Sequence, residues 1–148
     1  MQNWILYTWL QQLNKLYAYS QLQYINAALE AKSPMLKKFL EERAFERLDF
    51  IMEIESTIKI SENGCQNGQA LEEVYQQHVN LYGQNILNRT ICRTKDFLDT
   101  DFKIVELCNL LLSNELLPKI RLILRKHLLK VESARLSIYY LRTLYPEG

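Results

Sequence analysis

Six carboxylates crowd one stretch of this 148-residue chain: Glu41, Glu42, Glu46, Asp49, Glu53 and Glu55. Glu42 and Glu46, with Asp49, fall on one side of a helix, where oxygen ligands can hold a hard cation. A helical core holds a two-metal centre when a Glu comes from each of two helices and a Glu-x-x-His pair from each of the other two. Three-residue spacing then sets both ligands of a pair on one inward face. The two histidines, His78 and His127, each lack a Glu three residues earlier. The first 32 residues carry only Lys15, Glu30 and Lys32 as charged groups, so no carboxylate lies near the middle of that segment. Arg43 and Arg47 alternate with the acidic groups, and Arg43–Glu46 offsets the repulsion of Glu42–Glu46, as on a solvated face. No dimetal site, other metal or cofactor is expected. The weak metal ligands, if any, are Glu42, Glu46, Asp49 and His127, and no catalytic group is assigned.

His127 lies between Leu124 and Val131, close to an inner row, and reads as a boundary histidine satisfied by a neighbour or water. Cys65, Cys92 and Cys108 form an odd set without CxxC spacing, which predicts idle thiols in a reducing compartment. From Glu115 onward, Lys119, Arg121, Arg125, Lys126, Lys130, Arg135 and Arg142 face only Glu115, Glu132 and Glu147. This basic segment lacks interleaved glycines or exposed aromatics, and with a formal net charge of +1 overall no nucleic-acid partner is expected. Phosphate-binding glycine loops and nucleophile elbows are absent from the sequence.

The elements that must position these groups are helical. Between Asn3 and Ala31, Leu6, Trp9, Leu13, Leu16, Tyr24 and Ala27 recur at helical steps, with Ser20 filling the gap in the row. Ser33-Pro34 gives an N-cap followed by proline at the first helical position, and Pro34 also ends the preceding helix. Helices one and two are thereby expected to be antiparallel neighbours. In helix two the expected buried row is Leu36, Leu40, Ala44, Leu48, Ile51, Ile54 and Ile58, widened by Phe45 and Met52.

After the loop at Ser61–Gly68, a short helix is expected over 69–82 and a third long one over 85–113. The row of the third runs Leu87, Ile91, Thr94, Leu98, Phe102, Val105, Cys108 and Leu112, with a break near Asp99 as the alternative. The last helix, about 116–144, uses Ile120, Leu124, Leu128, Val131, Ala134, Ile138 and Leu141. With the first two at about 3–31 and 34–60, these segments make one all-α domain. It is an up-down four-helix bundle with one short extra connecting helix. The start MQNWILYTWLQQL lacks a basic leader and is interrupted by Gln11, Gln12 and Asn14. Neither a signal peptide nor a membrane span is expected, and the expected location is cytoplasmic.

SPMLKKFLEERAFERLDFIMEI resembles the second helix of a group of uncharacterised bacterial four-helix-bundle proteins in the ferritin-like superfamily. LNKLYAYSQLQYINAALEA is similar to their first helix, and ELLPKIRLILRKHLLKVESARLSI to their turn and last helix. The resemblance implies a ferritin-like bundle and no activity. Where that group carries acidic residues in mid helix one, this chain has Gln21, Leu22 and Gln23. Where it often shows Glu-Ala-His in the last helix, this chain has Ser133-Ala134-Arg135. The expected function is a non-enzymatic bundle that forms a homo-oligomer or binds a protein partner, with Trp4, Tyr7 and Tyr17 at the interface. The alternative is a metal-binding ferritin-like oxidoreductase or metal store using the helix-two carboxylates.

Overall fold

The computed structural model describes residues 3–61 and 94–144. These form four helices: α1 (Asn3–Glu30), α2 (Pro34–Ser61), α3 (Thr94–Leu112) and α4 (Pro118–Leu144). Among the described residues there is no strand, and no helix is long and apolar enough to cross a membrane. The short helix expected over 69–82 and the first part of helix three lie outside the described residues. α3 runs unbroken through Asp99-Thr100-Asp101, so the break near Asp99 is not formed.

Local chemistry sets the turns. Ser33 caps α2: its Oγ accepts the Leu36 N–H at 3.4 Å and its carbonyl accepts the Lys37 N–H at 2.9 Å. Pro34 then occupies a position whose N–H would have had no helical partner. At the other hairpin Arg121 donates to the carbonyls of Leu112 (3.0 Å) and Asn114 (2.6 Å), placing a cation on the unpaired end of α3. Asn114 Nδ2 donates to the Leu110 carbonyl at 2.7 Å, and Pro118 opens α4.

α1 packs on α2 and α3, and α4 packs on the same two, leaving α1/α4 and α2/α3 as the diagonals. Gln23 reaches Asp96 while Tyr19 and Leu16 lie beside Leu107, so α1 and α3 are antiparallel. Glu53 meets Lys126 and Thr57 lies by Ile123, so α2 and α4 are antiparallel too. α2 and α3 therefore run in the same direction, so the four described helices run up-down-down-up, which corrects the expected up-down alternation.

The core is two apolar clusters separated by a polar layer. One holds Leu13, Tyr17, Phe50, Ile54, Ile104, Cys108, Leu111, Leu124 and Val131. The other holds Tyr24, Ala28, Leu40, Ala44, Leu98 and Ile138. Between them in sequence on three helices stand Ser20, Arg47 and Asp101, all buried. Two expectations are corrected here. Phe45 and Met52 do not widen the buried face of α2; they are 65% and 59% exposed, and Arg47 and Phe50 are buried instead. Phe102 is likewise exposed, because α3 is turned one position so that Asp101 points inward.

Candidate functional site

Three regions concentrate polar or unpaired chemistry, and the first is the axial layer. α2 and α3 are diagonal, so Arg47 and Asp101 meet across the middle of the bundle. Arg47 Nη2 donates to Asp101 Oδ2 at 3.2 Å, and Arg47 Nε donates to Ser20 Oγ at 3.2 Å. Ser20 in turn donates to Asp101 Oδ1 at 3.2 Å, and Tyr24 OH donates to Oδ2 at 2.7 Å. The guanidinium also lies over the Tyr24 ring, 5.3 Å from its centroid. Burial acts to lower the Arg47 guanidinium, but the Asp101 carboxylate outweighs it and holds the group above its ordinary value. Burial and the Asp101 charge together push the Tyr24 phenol well up, so it remains a donor. Both carboxylate oxygens are taken by protein donors. The layer is an internally paired network of buried polar groups.

The second region lies where α2 meets α4. Lys126 Nζ donates to Glu53 at 2.7 and 2.8 Å, and His127 Nε2 lies 3.4 Å from Glu53 Oε1. The His127 ring sits edge-on to Phe50 at 5.3 Å, and Phe50 stacks on Tyr17 at 3.7 Å. Burial holds His127 below its ordinary value, and the adjacent Glu53 counters this only in part. For Glu53 burial acts upward, but the Lys126 hydrogen bond and the neighbouring imidazole outweigh it, so the carboxyl stays below its usual range. His127 is fully buried and not at a boundary: it is 1% exposed, with the Glu53 carboxylate as its charged neighbour. The Cys108 thiol donates to the Leu124 carbonyl at 3.7 Å, and burial pushes it up to about 12, which removes its nucleophilic form at neutral pH.

The third region is the outer surface of α2 and α4. Leu122, Leu129 and Leu136 are 68%, 69% and 72% exposed, and they recur every seven residues, so they form one strip along α4. Phe45 and Met52 repeat the same interval on α2. Met52 and Leu122 line one open groove of about 620 Å³ together with Glu53, Thr57, Lys119 and Lys126. Glu53 and Lys126 pair across the two helices within this groove.

The sequence-selected residues are dispersed among these regions. Glu46 is 2.8 Å from Arg43 and 4.0 Å from Arg47, and Glu42 is 3.5 Å from Arg43. Asp49 is exposed, while His127 lies inside the α2–α4 contact. Among the described residues no group of three or more His, Cys, Asp or Glu is placed to hold a metal ion. Tyr17 is not available to an interface: it is buried in the core against Phe50, and burial pushes its phenol well up. Tyr7 is half-buried against the same core, and the Trp4 side chain lies outside the described part. Arg47, expected on a solvated face, is 1% exposed. A signal for the layer was present. Leu40-Ala44-Arg47-Ile51-Ile54-Ile58 and Leu98-Asp101-Val105-Cys108-Leu112 both alternate four- and three-residue steps without a slip. The apolar neighbours Leu48 and Phe102 drew the rows one position aside.

Comparison of the chain with family models, curated proteins and solved structures gave no match.

Proposed function

We propose that this chain is a non-enzymatic bundle of ferritin-like topology whose role is to associate with protein through the outer α2–α4 face. One observation carries the reading: five large apolar side chains, Phe45, Met52, Leu122, Leu129 and Leu136, stand in two seven-residue rows on adjacent helices. Isolated exposed leucines are ordinary, but several large apolar side chains grouped on neighbouring helices mark an interaction surface. The topological part rests on parallel, diagonal α2 and α3, which need a single bundle-length crossover; ferritin-like bundles have one such connection. The non-enzymatic part rests on the closed axial layer, which fills with protein donors the core position where bundles build their sites.

Association thus moves from the N-terminal aromatics to α2 and α4. Two measurements on the purified protein test this: solution mass by light scattering and binding of a hydrophobic dye. The expected result is either a mass above the 17.6 kDa chain or dye binding that is lost in L122E/L129E/L136E. A protein that stays at chain mass and binds no dye sinks the reading.

A further inference from the structure

A side chain of the type that changes charge near neutral pH lies inside the contact between α2 and α4. His127, on α4, is 1% exposed, and its ring sits edge-on to Phe50 of α2. Its Nε2 is 3.4 Å from Glu53 Oε1, a long contact, while Lys126 Nζ holds both oxygens of that carboxylate at 2.7 and 2.8 Å. One carboxylate thus faces two groups able to carry positive charge, and the lysine already has it. The seam beside them is open. Ile123 and Lys126, one turn and one residue before His127, line the groove of about 620 Å³ together with Glu53. We infer that the α2–α4 seam is an acid-sensitive latch: protonation of His127 opens it from the groove inward, while the α1–α2 hairpin stays folded.

The charges around the ring set the direction. α2 supplies Glu53, and α4 supplies Lys126 and Lys130. α1 brings Tyr17, stacked on Phe50, and α3 brings Cys108, hydrogen-bonded to the Leu124 carbonyl. Burial raises both of those groups, so phenol and thiol stay neutral on the acid side. An imidazolium here is a charge taken out of water that shares its carboxylate with a lysine. Burial outweighs the attraction of Glu53 and holds His127 below its ordinary value. A group lowered in the fold contributes its stability above its free value, 6.5, and that contribution is lost as pH falls. Opening the seam returns the ring to solvent and relieves the cost. The seam offers little resistance, because its ion pair is partly exposed, Lys126 by 48% and Glu53 by 36%. The second apolar cluster, which includes Tyr24, Leu40, Ala44 and Ile138, holds no group that titrates between pH 5 and 7. The end of α4 therefore stays docked through Ile138, and opening is confined to the half that carries His127.

Hydrogen exchange on the full chain at pH 7.5 and 5.5, corrected for intrinsic rates, tests the latch. Glu53, held below its ordinary 4.5, is still ionised at pH 5.5, so the response isolates the imidazole. Amides at 50–57 and 120–130 should open more at pH 5.5, by up to about tenfold, since the solvated ring titrates near its free value. Amides at 20–28 and 40–47 should keep their protection. H127Q should abolish the response. NMR titration of the wild-type imidazole, with H78Q identifying the other histidine's signal, needs no core substitution and should place His127 below 6.5. Seam protection that is constant or rises on acidification overturns the latch, as does a response that persists in H127Q. A His127 that titrates at or above 6.5, or a loss of protection spread equally over all four helices, overturns it too.

Discussion

The axial layer and the outer α2–α4 face invert the usual distribution of polarity, and each does so for a different reason. Inside, Arg47 and Asp101 are 1% and 0% exposed, yet every charge has a partner within 3.2 Å. Outside, Leu122, Leu129 and Leu136 are exposed with no such satisfaction. Buried charge survives because geometry compensates desolvation; exposed hydrocarbon has no equivalent compensation within one chain. The first arrangement is complete and the second is unfinished, which is why the layer reads as architecture and the face as function.

The largest effect that would break this contrast comes from opening the layer. Arg47→Ala or Asp101→Ala leaves the other charge buried and alone and should cost about 3–5 kcal/mol in urea unfolding. Replacing both by apolar residues of similar volume should recover most of that loss, since the lone charge is gone. A single variant within about 1 kcal/mol of wild type would mean water reaches the layer.

The two buried tyrosines sharpen the comparison within the core. Tyr24→Phe removes a hydrogen bond to a carboxylate and should cost about 1.5–3 kcal/mol. The Tyr17 hydroxyl has no hydrogen-bond partner among the described residues, so Tyr17→Phe should be neutral or slightly stabilising by the same assay. Equal costs would contradict the network.

Stability against pH probes the same groups without substitution. Tyr17, Tyr24 and Cys108 are all raised in the fold, so their contribution is complete below their unfolded values, 9.0 for the thiol and 10.0 for the phenols. It is lost as pH climbs above them, for Cys108 up to about 12. His127 and Glu53 are both lowered, so the protein should lose stability as pH falls below 6.5 and again below 4.5. Thermal melts from pH 4 to 11 should give a plateau near pH 7–8 that falls on both sides, and a melting temperature still rising at pH 10 would refute the alkaline limb.

The smallest effects belong to the surface. Lys126→Ala removes a partly exposed ion pair and should cost about 0–1 kcal/mol. Leu129→Glu should change the unfolding free energy of the monomer by no more than about 0.5 kcal/mol, since the side chain is 69% exposed. A large loss of monomer stability in that variant would place Leu129 in a core.

Much of the bundle was legible because its rows are periodic. α1, α2 and α4 start and stop within about two residues of where Ser33-Pro34, Pro118 and the apolar spacing put them. The buried row of α4 is largely as expected, with Ile120, Leu124, Val131, Ala134 and Ile138 inside. The misplaced residues share one cause. Phe45, Met52 and Phe102 are expected inward because they are apolar, and Arg47 outward because it is charged. Hydrophobicity is a good guide to burial only where no polar partner waits inside.

The sequence by itself determined that the chain is helical, where its turns fall and that its histidines lack the spacing of a two-metal site. Those properties reside in residues three, four or seven apart. The tertiary structure decided that Arg47 and Asp101, 54 residues apart, are one buried pair, and that α2 and α4 share an apolar outer face. The reason is that a helix has a phase as well as a period. The period is written along the chain, but the phase that turns Asp101 in and Phe102 out is fixed only when α1 and α2 supply the partners of Asp101.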